Sequence, residues 1–327
     1  MLSDGRRLGA HLPLGAGMVR AVERAHEIGA EAIQVFCDNP TAWRRRPTLP
    51  RELPRFRERL DELDIRPLAI HAAYLVNLAG DEPTFHAQSI EILASDLRTG
   101  VAYGASFVNV HIGSHRGAGT DAGVEALTSG IAAVMAAVPP GPGVPRLVLE
   151  DSAGSGFGLG VTIDELEAID QALIAHGVDR ERIGYCLDTA HLWGAGYDLR
   201  SRETVEALLD AFGRRIGLDR LVMVHLNDSR SELGSRLDRH EHLGAGRIGA
   251  RGLRNVLAHP ALGHVAFLIE TPGMDEGYDA INLQRARDIA AGRPLADLPR
   301  EAFELRRSRS RSGPAEDPDD LPLADSA

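Results

Sequence analysis

Cysteine is scarce in this chain. The two present, Cys37 and Cys186, provide no disulfide framework. Long apolar runs are missing as well: no stretch approaches the roughly 18–20 residues that span a bilayer. The first residues, MLSDGRRLGAH, lack the apolar segment of a secretory signal. Positive charge is in deficit, 36 basic against 47 acidic residues, a formal net charge of −11. Taken alone, that deficit argues against a nucleic-acid partner, because phosphate binding favours a basic face. Carboxylates that bind metal ions do not repel DNA as free ones do, so the charge has to be located before it is interpreted. These absences point to a soluble cytoplasmic protein with no membrane contact. Apolar residues make up 43% of the 327, ample for a sizeable core.

Some of the acidic charge lies at the C-terminus, in Glu316, Asp317, Asp319, Asp320 and Asp325. From about Glu304 the sequence reads ELRRSRSRSGPAEDPDDLPLADSA. An Arg/Ser run passes into a Pro/Asp-rich run with too little apolar content to build a core. The expected organisation is one folded domain over residues 1–303 and a disordered tail over 304–327.

Eight short apolar runs stand out before the tail: RLGAH (7–11), AIQVF (32–36), RPLAIH (66–71), FVNVH (107–111), RLVLE (146–150), IGYCLD (183–188), LVMVHL (221–226) and AFLIE (266–270). Several are rich in Val and Ile, as buried parallel strands are. Helix-like segments lie between them. Residues 17–30 set Met18, Val22, Ala25 and Ile28 on one face. Thr162-Ile-Asp-Glu165 reads as a capping box opening a helix through Leu166 and Ile169, and residues 203–216 form another amphipathic stretch. Strands alternating with helices indicate parallel βαβ units, and eight units predict an α/β fold, a single-domain (β/α)8 TIM barrel.

The stretch YCLDTAHLWGAGYD (185–198) shows what such a barrel carries. An apolar run stops on Asp188, and His191 follows three residues later. Active sites of these barrels sit at the C-terminal ends of the strands. Seven of the eight runs end at or beside a metal-capable residue: His11, His71, His111, Glu150, Asp188, His225 and Glu270. Only the run ending at Phe36 lacks one. A single histidine after a strand is ordinarily structural, and scattered polar caps are the plain alternative. A crowd of carboxylates at one end would repel strongly without a cation. Asp238-Arg239-His240, in the loop after the seventh run, adds an alternating D-x-H. Imidazole with carboxylate suits zinc, with manganese or iron as competitors. About nine such ligands exceed the four of one tetrahedral ion. They suggest two or three ions sharing a carboxylate, an arrangement suited to hydrolytic phosphoryl transfer.

At this point the residues resemble a family, the endonuclease IV family of zinc-dependent apurinic/apyrimidinic endonucleases, among the xylose isomerase-like barrels. Its motifs here are LGAHLPLGAG, HAAYLVNLA (71–79), NVHIGSH (109–115), LEDSAGSGFGLG (149–160), CLDTAHLWGAGYDL (186–199), HLNDS (225–229) and GSRLDRHEHLGAGRIG (234–249), in order from Leu8 to Glu270. The resemblance implies three zinc ions per chain. His71, His111 and Glu150 match the ligands of the first. Glu150 bridges to the second, with Asp188, His225 and Glu270. His191, Asp238 and His240 match the third, and His11 falls outside the set. The implied activity is hydrolysis of the phosphodiester 5′ to an abasic site in duplex DNA, leaving a 3′-hydroxyl and a 5′-deoxyribose phosphate. Removal of blocked 3′ ends is implied too. The chemistry would be a metal-hydroxide mechanism in which Glu150 orients the nucleophile, carried out by a monomer.

The chain departs from the family at several points. Ala190 stands where relatives often have Cys, and Ile112 where they often have Pro. In the loop DNPTAW (38–43), Pro40-Thr41 replace a Gln-Arg pair whose Arg is inserted into the duplex. Tyr74 and Leu75 match the other inserted residues. Arg44, Arg45 and Arg46 lie just downstream and offer phosphate contacts instead, and Arg230, Arg236, Arg239 and Arg247 flank the late ligands. Two other readings are a sugar isomerase or epimerase of the same barrel type, with one or two ions, and a non-catalytic DNA- or metal-binding derivative of a nuclease.

Overall fold

Each of the eight apolar runs forms a strand in the computed structural model, which describes residue 2, residues 5–273 and residues 276–304. These are β1 (Leu8–His11), β2 (Ile33–Val35), β3 (Leu68–His71), β4 (Phe107–His111), β5 (Arg146–Glu150), β6 (Ile183–Asp188), β7 (Leu221–His225) and β10 (Ala266–Ile269). They pair in chain order into a closed parallel barrel, with β10 lying between β7 and β1. The connection after β7 holds a small antiparallel pair, β8 (Asp228–Ser229) and β9 (His240–Glu241). The tail assigned to 304–327 lies, beyond Glu304, outside the described residues.

The helices follow their apolar spacing and their caps. They are α1 (Met18–Glu27), α2 (Leu53–Glu62), α3 (Pro83–Tyr103), α4 (Thr120–Ala137), α5 (Ile163–Ala175), α6 (Thr189–Ala195), α7 (Arg202–Arg215), α8 (Gly249–Leu257) and α9 (Asp279–Ala291). In α1 the buried positions are Met18, Ala21, Val22 and Ala25, one helical stripe. The Thr162 side chain caps α5 by accepting from the Glu165 N–H at 3.2 Å. The reciprocal half of the capping box is displaced by one residue, because Glu165 accepts from Val161 N–H at 2.9 Å. None of the described helices is long and apolar enough to cross a membrane.

The two-residue period of a strand separates two cores. Leu8, Ile33, Ile70, Val108, Leu149, Leu187 and Phe267 join the large core between sheet and helices. The alternate positions Ala32, Ala69, Val148, Cys186, Met223 and Leu268 form a second, smaller cluster inside the barrel. Two residues further along, the same inward parity reaches Gln34, His71, Glu150, Asp188, His225 and Glu270. The barrel is therefore filled by apolar side chains below and polar ones above. Gly9 is needed where β1 meets β2: a Cβ there would lie 2.0 Å from the Ala32 carbonyl oxygen. Both cysteines are buried and free, in keeping with the absence of a disulfide framework.

One buried ion network ties β6 to its surrounding helices. Asp170 on α5 is bound by Arg220, by Arg180 at 2.9 Å and by the Tyr185 hydroxyl at 3.1 Å. Arg220 is itself buried and lies over the Tyr185 ring. Removing one partner of such a group leaves an uncompensated charge in the interior. Asp170→Ala should therefore lower unfolding stability by about 3–5 kcal/mol in a urea titration. A loss below ~1 kcal/mol, typical of exposed pairs, would show that the two guanidiniums are solvated without it.

Candidate metal centre

Strand register sets neighbouring donors side by side. His111 pairs across the sheet with Glu150, and Asp188 with His225. At the centre is Glu150, fully buried. Its Oε2 lies 3.6 Å from His71 Nε2 and 3.5 Å from His111 Nε2. Its Oε1 lies 3.0 Å from His225 Nδ1 and 3.6 Å from His191 Nδ1. Three overlapping sets of donor atoms result, each set within 4.8 Å: His71, His111 and Glu150; Glu150, Asp188, His225 and Glu270; Asp188, His191 and His240. Asp238 faces the last set, its carboxylate 3.3 Å from His191 Nε2 and 3.0 Å from His240 Nε2.

Several of these imidazoles are pinned by their outward nitrogen. His71 Nδ1 donates to the Ala72 carbonyl at 2.7 Å, and His240 Nδ1 to the Glu270 carbonyl at 3.0 Å. His225 Nε2 donates to Gln34 Oε1 at 3.2 Å. Each ring then turns its second nitrogen inward, the arrangement metal-ligating histidines adopt. The donor set also fits a cation by what it leaves unmatched. His240 Nε2 and Asp238 Oδ1 are buried without an aligned hydrogen bond although they lie close together. Buried polar atoms of this kind are otherwise costly.

The Asp-x-x-His of β6 works through a helix and not, as its glycines suggest, through a loop. Asp188 caps α6, accepting from Ala190 N–H at 2.6 Å and His191 N–H at 3.2 Å through Oδ1. Oδ2 receives the Asn227 amide at 2.7 Å. One turn of helix then swings His191 back over the barrel. The loop after β7 is organised by Asp228, whose buried carboxylate accepts N–H bonds from Ser229, Gly244, Gly246 and Ile248. That knot closes the connection carrying Asp238 and His240.

His11 lies outside the three donor sets. Its Nδ1 bonds Glu270 Oε1 at 2.8 Å, and Gln34 Nε2 donates to the same oxygen at 2.7 Å. The second run thus contributes to the polar layer after all, through Gln34 inside the strand. Asn109, Asp151 and Asn227 also went unread: Asn109 donates to Glu150, Asp151 accepts from Asp188 N–H, and Asn227 holds Asp188 and Glu270. Inward parity was the available signal for Gln34 and Asn109.

The rim is uneven. Tyr74 is exposed, with its ring edge-on to Phe36 at 5.0 Å, and Leu75 is partly buried. Of the three adjacent arginines only Arg44 is exposed without an ion pair among the described residues; Arg45 pairs with Asp96 and Arg46 with Asp38. Arg247 pairs with Glu232 at 2.6 Å. Arg236 is exposed in a left-handed backbone conformation, and Arg239 is partly buried. Phe157 and Arg116, which sequence reading passed over, are exposed on the loops after β5 and β4.

Charge in the centre is set by mutual proximity. Burial pushes the Glu150 carboxyl up, but His225 and His111 outweigh it and hold it well below its ordinary value. Burial opposes protonation of His240, yet Asp238 and Asp188 raise its pKa to about 10. A raised histidine contributes stability fully present below pH 6.5 and lost as pH rises through about 10. Metal-free protein therefore holds protons here at neutral pH that a cation must displace. Zinc binding to chelator-stripped protein at pH 7 should release protons, measured by calorimetry in buffers of different ionisation enthalpy. Buffer-independent heats would contradict this charge state.

Comparison with known proteins places this geometry. A family model described as a xylose isomerase-like TIM barrel matches residues 22–295. A protein named probable endonuclease 4 from Halothermothrix orenii is 36% identical over 282 residues, 85% of this chain and 99% of the relative. One of the same name from Natranaerobius thermophilus is 38% identical over 283 residues, covering 86% and 97%. The crystal structure of endonuclease IV from Thermus thermophilus superposes with a TM-score of 0.75 at 35% identity, over 88% of this chain and 99% of that one. With its closed barrel, its three donor sets and relatives matched over nearly their whole length, this chain belongs to the endonuclease IV family of xylose isomerase-like TIM barrels.

Proposed function

We propose that the protein is a metal-dependent DNA repair endonuclease. It hydrolyses the phosphodiester 5′ to abasic sites in duplex DNA, leaving a 3′-hydroxyl and a 5′-deoxyribose phosphate, and clears blocked 3′ ends. The observation that carries this reading is the packing of eight His, Asp and Glu side chains into three overlapping donor sets at one end of the barrel, with Asp238 against the last of them. The relatives' name, endonuclease 4, supports it.

His71, His111 and Glu150 would hold one zinc ion, Glu150 with Asp188, His225 and Glu270 a second, and His191, Asp238 and His240 a third, with manganese or iron acceptable at some positions. Divalent ions bound there supply Lewis-acid charge to the attacking and leaving oxygens of a phosphodiester. The chain's own part is placement. Glu150 faces both sides of the centre and is the residue we assign to orienting the nucleophile. Asn109 donates to one of its oxygens. The sequence contains no lysine, so a Schiff-base lyase route through a side-chain amine is closed. Arg44, Arg236 and Arg239 would meet phosphates, positioning the duplex without reading bases. Tyr74 and Leu75 would fill the gap left at the lesion.

A duplex containing one tetrahydrofuran abasic analogue, which cannot undergo β-elimination, should be nicked without added magnesium. Failure of metal-loaded protein to cut it would sink this reading. Glu150→Gln should lower nicking by more than about 100-fold, the upper range for residues that only orient a ligand, while circular dichroism shows a folded barrel. For Tyr74→Ala, binding to abasic duplex should weaken by about 1–3 kcal/mol, the value of one stacked base, and binding to undamaged duplex by less. Equal losses at one fixed salt concentration would show that the tyrosine only packs its loop.

A further inference from the structure

The loops after β2 and β3 carry Arg44 and the Tyr74-Leu75 pair, and both are anchored on one helix, α3, the first of them through a buried carboxylate. Asp96 on α3 is 2% exposed. It accepts from the Cys37 thiol at 3.4 Å and faces the Arg45 guanidinium at 3.4 Å, both from the loop after β2. Arg45 reaches back to the Asn39 carbonyl at 3.1 Å, and the Asn39 side chain accepts from Thr41. Residues 39–45 are thereby closed on themselves and tied to α3. The Tyr103 hydroxyl, also on α3, donates to the Cys37 carbonyl at 3.3 Å. Ser89 of the same helix accepts from Asn77 N–H at 3.1 Å on the β3 side.

Among the described residues, no hydrogen bond or ion pair joins Asp96 or Arg45 to any of the nine donor side chains. We propose that Asp96 and Arg45 are positioning residues for DNA recognition: their clasp fixes the loop after β2 on α3, the helix that also holds the β3 side through Ser89, so that Arg44, Tyr74 and Leu75 meet the duplex as one rigid surface. This rests on the endonuclease reading above. Arg45 then acts on DNA only through the loops, and not by touching phosphate. A clasp of this kind lowers the cost of ordering side chains at an interface.

The test compares Arg45→Met, which keeps the apolar stem, with Asp96→Asn, the double variant and Arg45→Lys. For Arg45→Met the KM for abasic duplex should rise about 5- to 20-fold, the range of a lost preorganising contact, with kcat within about twofold and metal content unchanged. Its binding preference for abasic over undamaged duplex should shrink. Arg45→Lys should recover most of the loss, and the double variant should be no worse than either single one, as expected of partners in one interaction. The slope of log affinity against log salt should not change. A slope reduced by about 1 would mean that Arg45 contacts a phosphate directly, and would overturn the proposal. So would a lower melting temperature with KM and binding preference unaltered, the signature of a merely structural pair. If Asp96→Asn does not fold, Arg45→Met and Arg45→Lys carry the test alone. Wild-type protein that neither binds nor nicks abasic duplex overturns the endonuclease reading and this proposal together. Active wild-type protein with an unaltered Arg45→Met overturns only the proposal.

Discussion

The Glu150 carboxylate lies buried in the upper layer of the barrel with four imidazoles around it, His225, His111, His71 and His191, at 3.0 to 3.6 Å. Glu270, Asp188 and Asp238 crowd the same space. Carboxylates at this density are tolerated in a low-dielectric interior only when matched by positive charge, as protons on the imidazoles or as metal cations. Much of the remaining structure follows from that requirement. The inner apolar cluster supports the layer from below, and protons or cations must balance the layer's charge.

The layer is held in place by residues that carry no formal charge. Gln34 touches His11, His225 and Glu270 at once. Asn227 touches both Asp188 and Glu270. These amides bridge donors from different strands, so the geometry of one group constrains the next. The same division of labour recurs outside the centre. Asp228 ties the loop after β7 through backbone N–H groups, and Asp96 holds the loop after β2. In both cases a buried carboxylate fixes a segment whose outward side chains remain available.

The barrel was legible because its information is local and periodic. Eight apolar runs, each stopping on or near a polar residue, needed only the strand period to become an inward-facing layer. His71, His111, Glu150, Asp188, His225 and Glu270 all sit where that reading puts them. What escaped depends on distant pairs. Gln34 is an ordinary polar residue in a short run until β1, β7 and β10 close around it. The role of Arg45 is decided by Asp96, 51 residues later, so a run of three arginines read as one basic surface splits into two that pair with carboxylates, one of them partly buried, and one that does not among the described residues. Helix α6 was missed because Asp188 caps it with the side chain that also faces the centre.

The proposed activity depends on the overlapping donor sets serving as a multinuclear site. Counting metal in the purified, exhaustively dialysed chain by plasma mass spectrometry tests this most directly. Close to three equivalents of divalent metal per chain are expected, zinc foremost, falling by one equivalent in His240→Ala. One or two equivalents, unchanged in that variant, would contradict it and return the barrel to the company of the sugar isomerases.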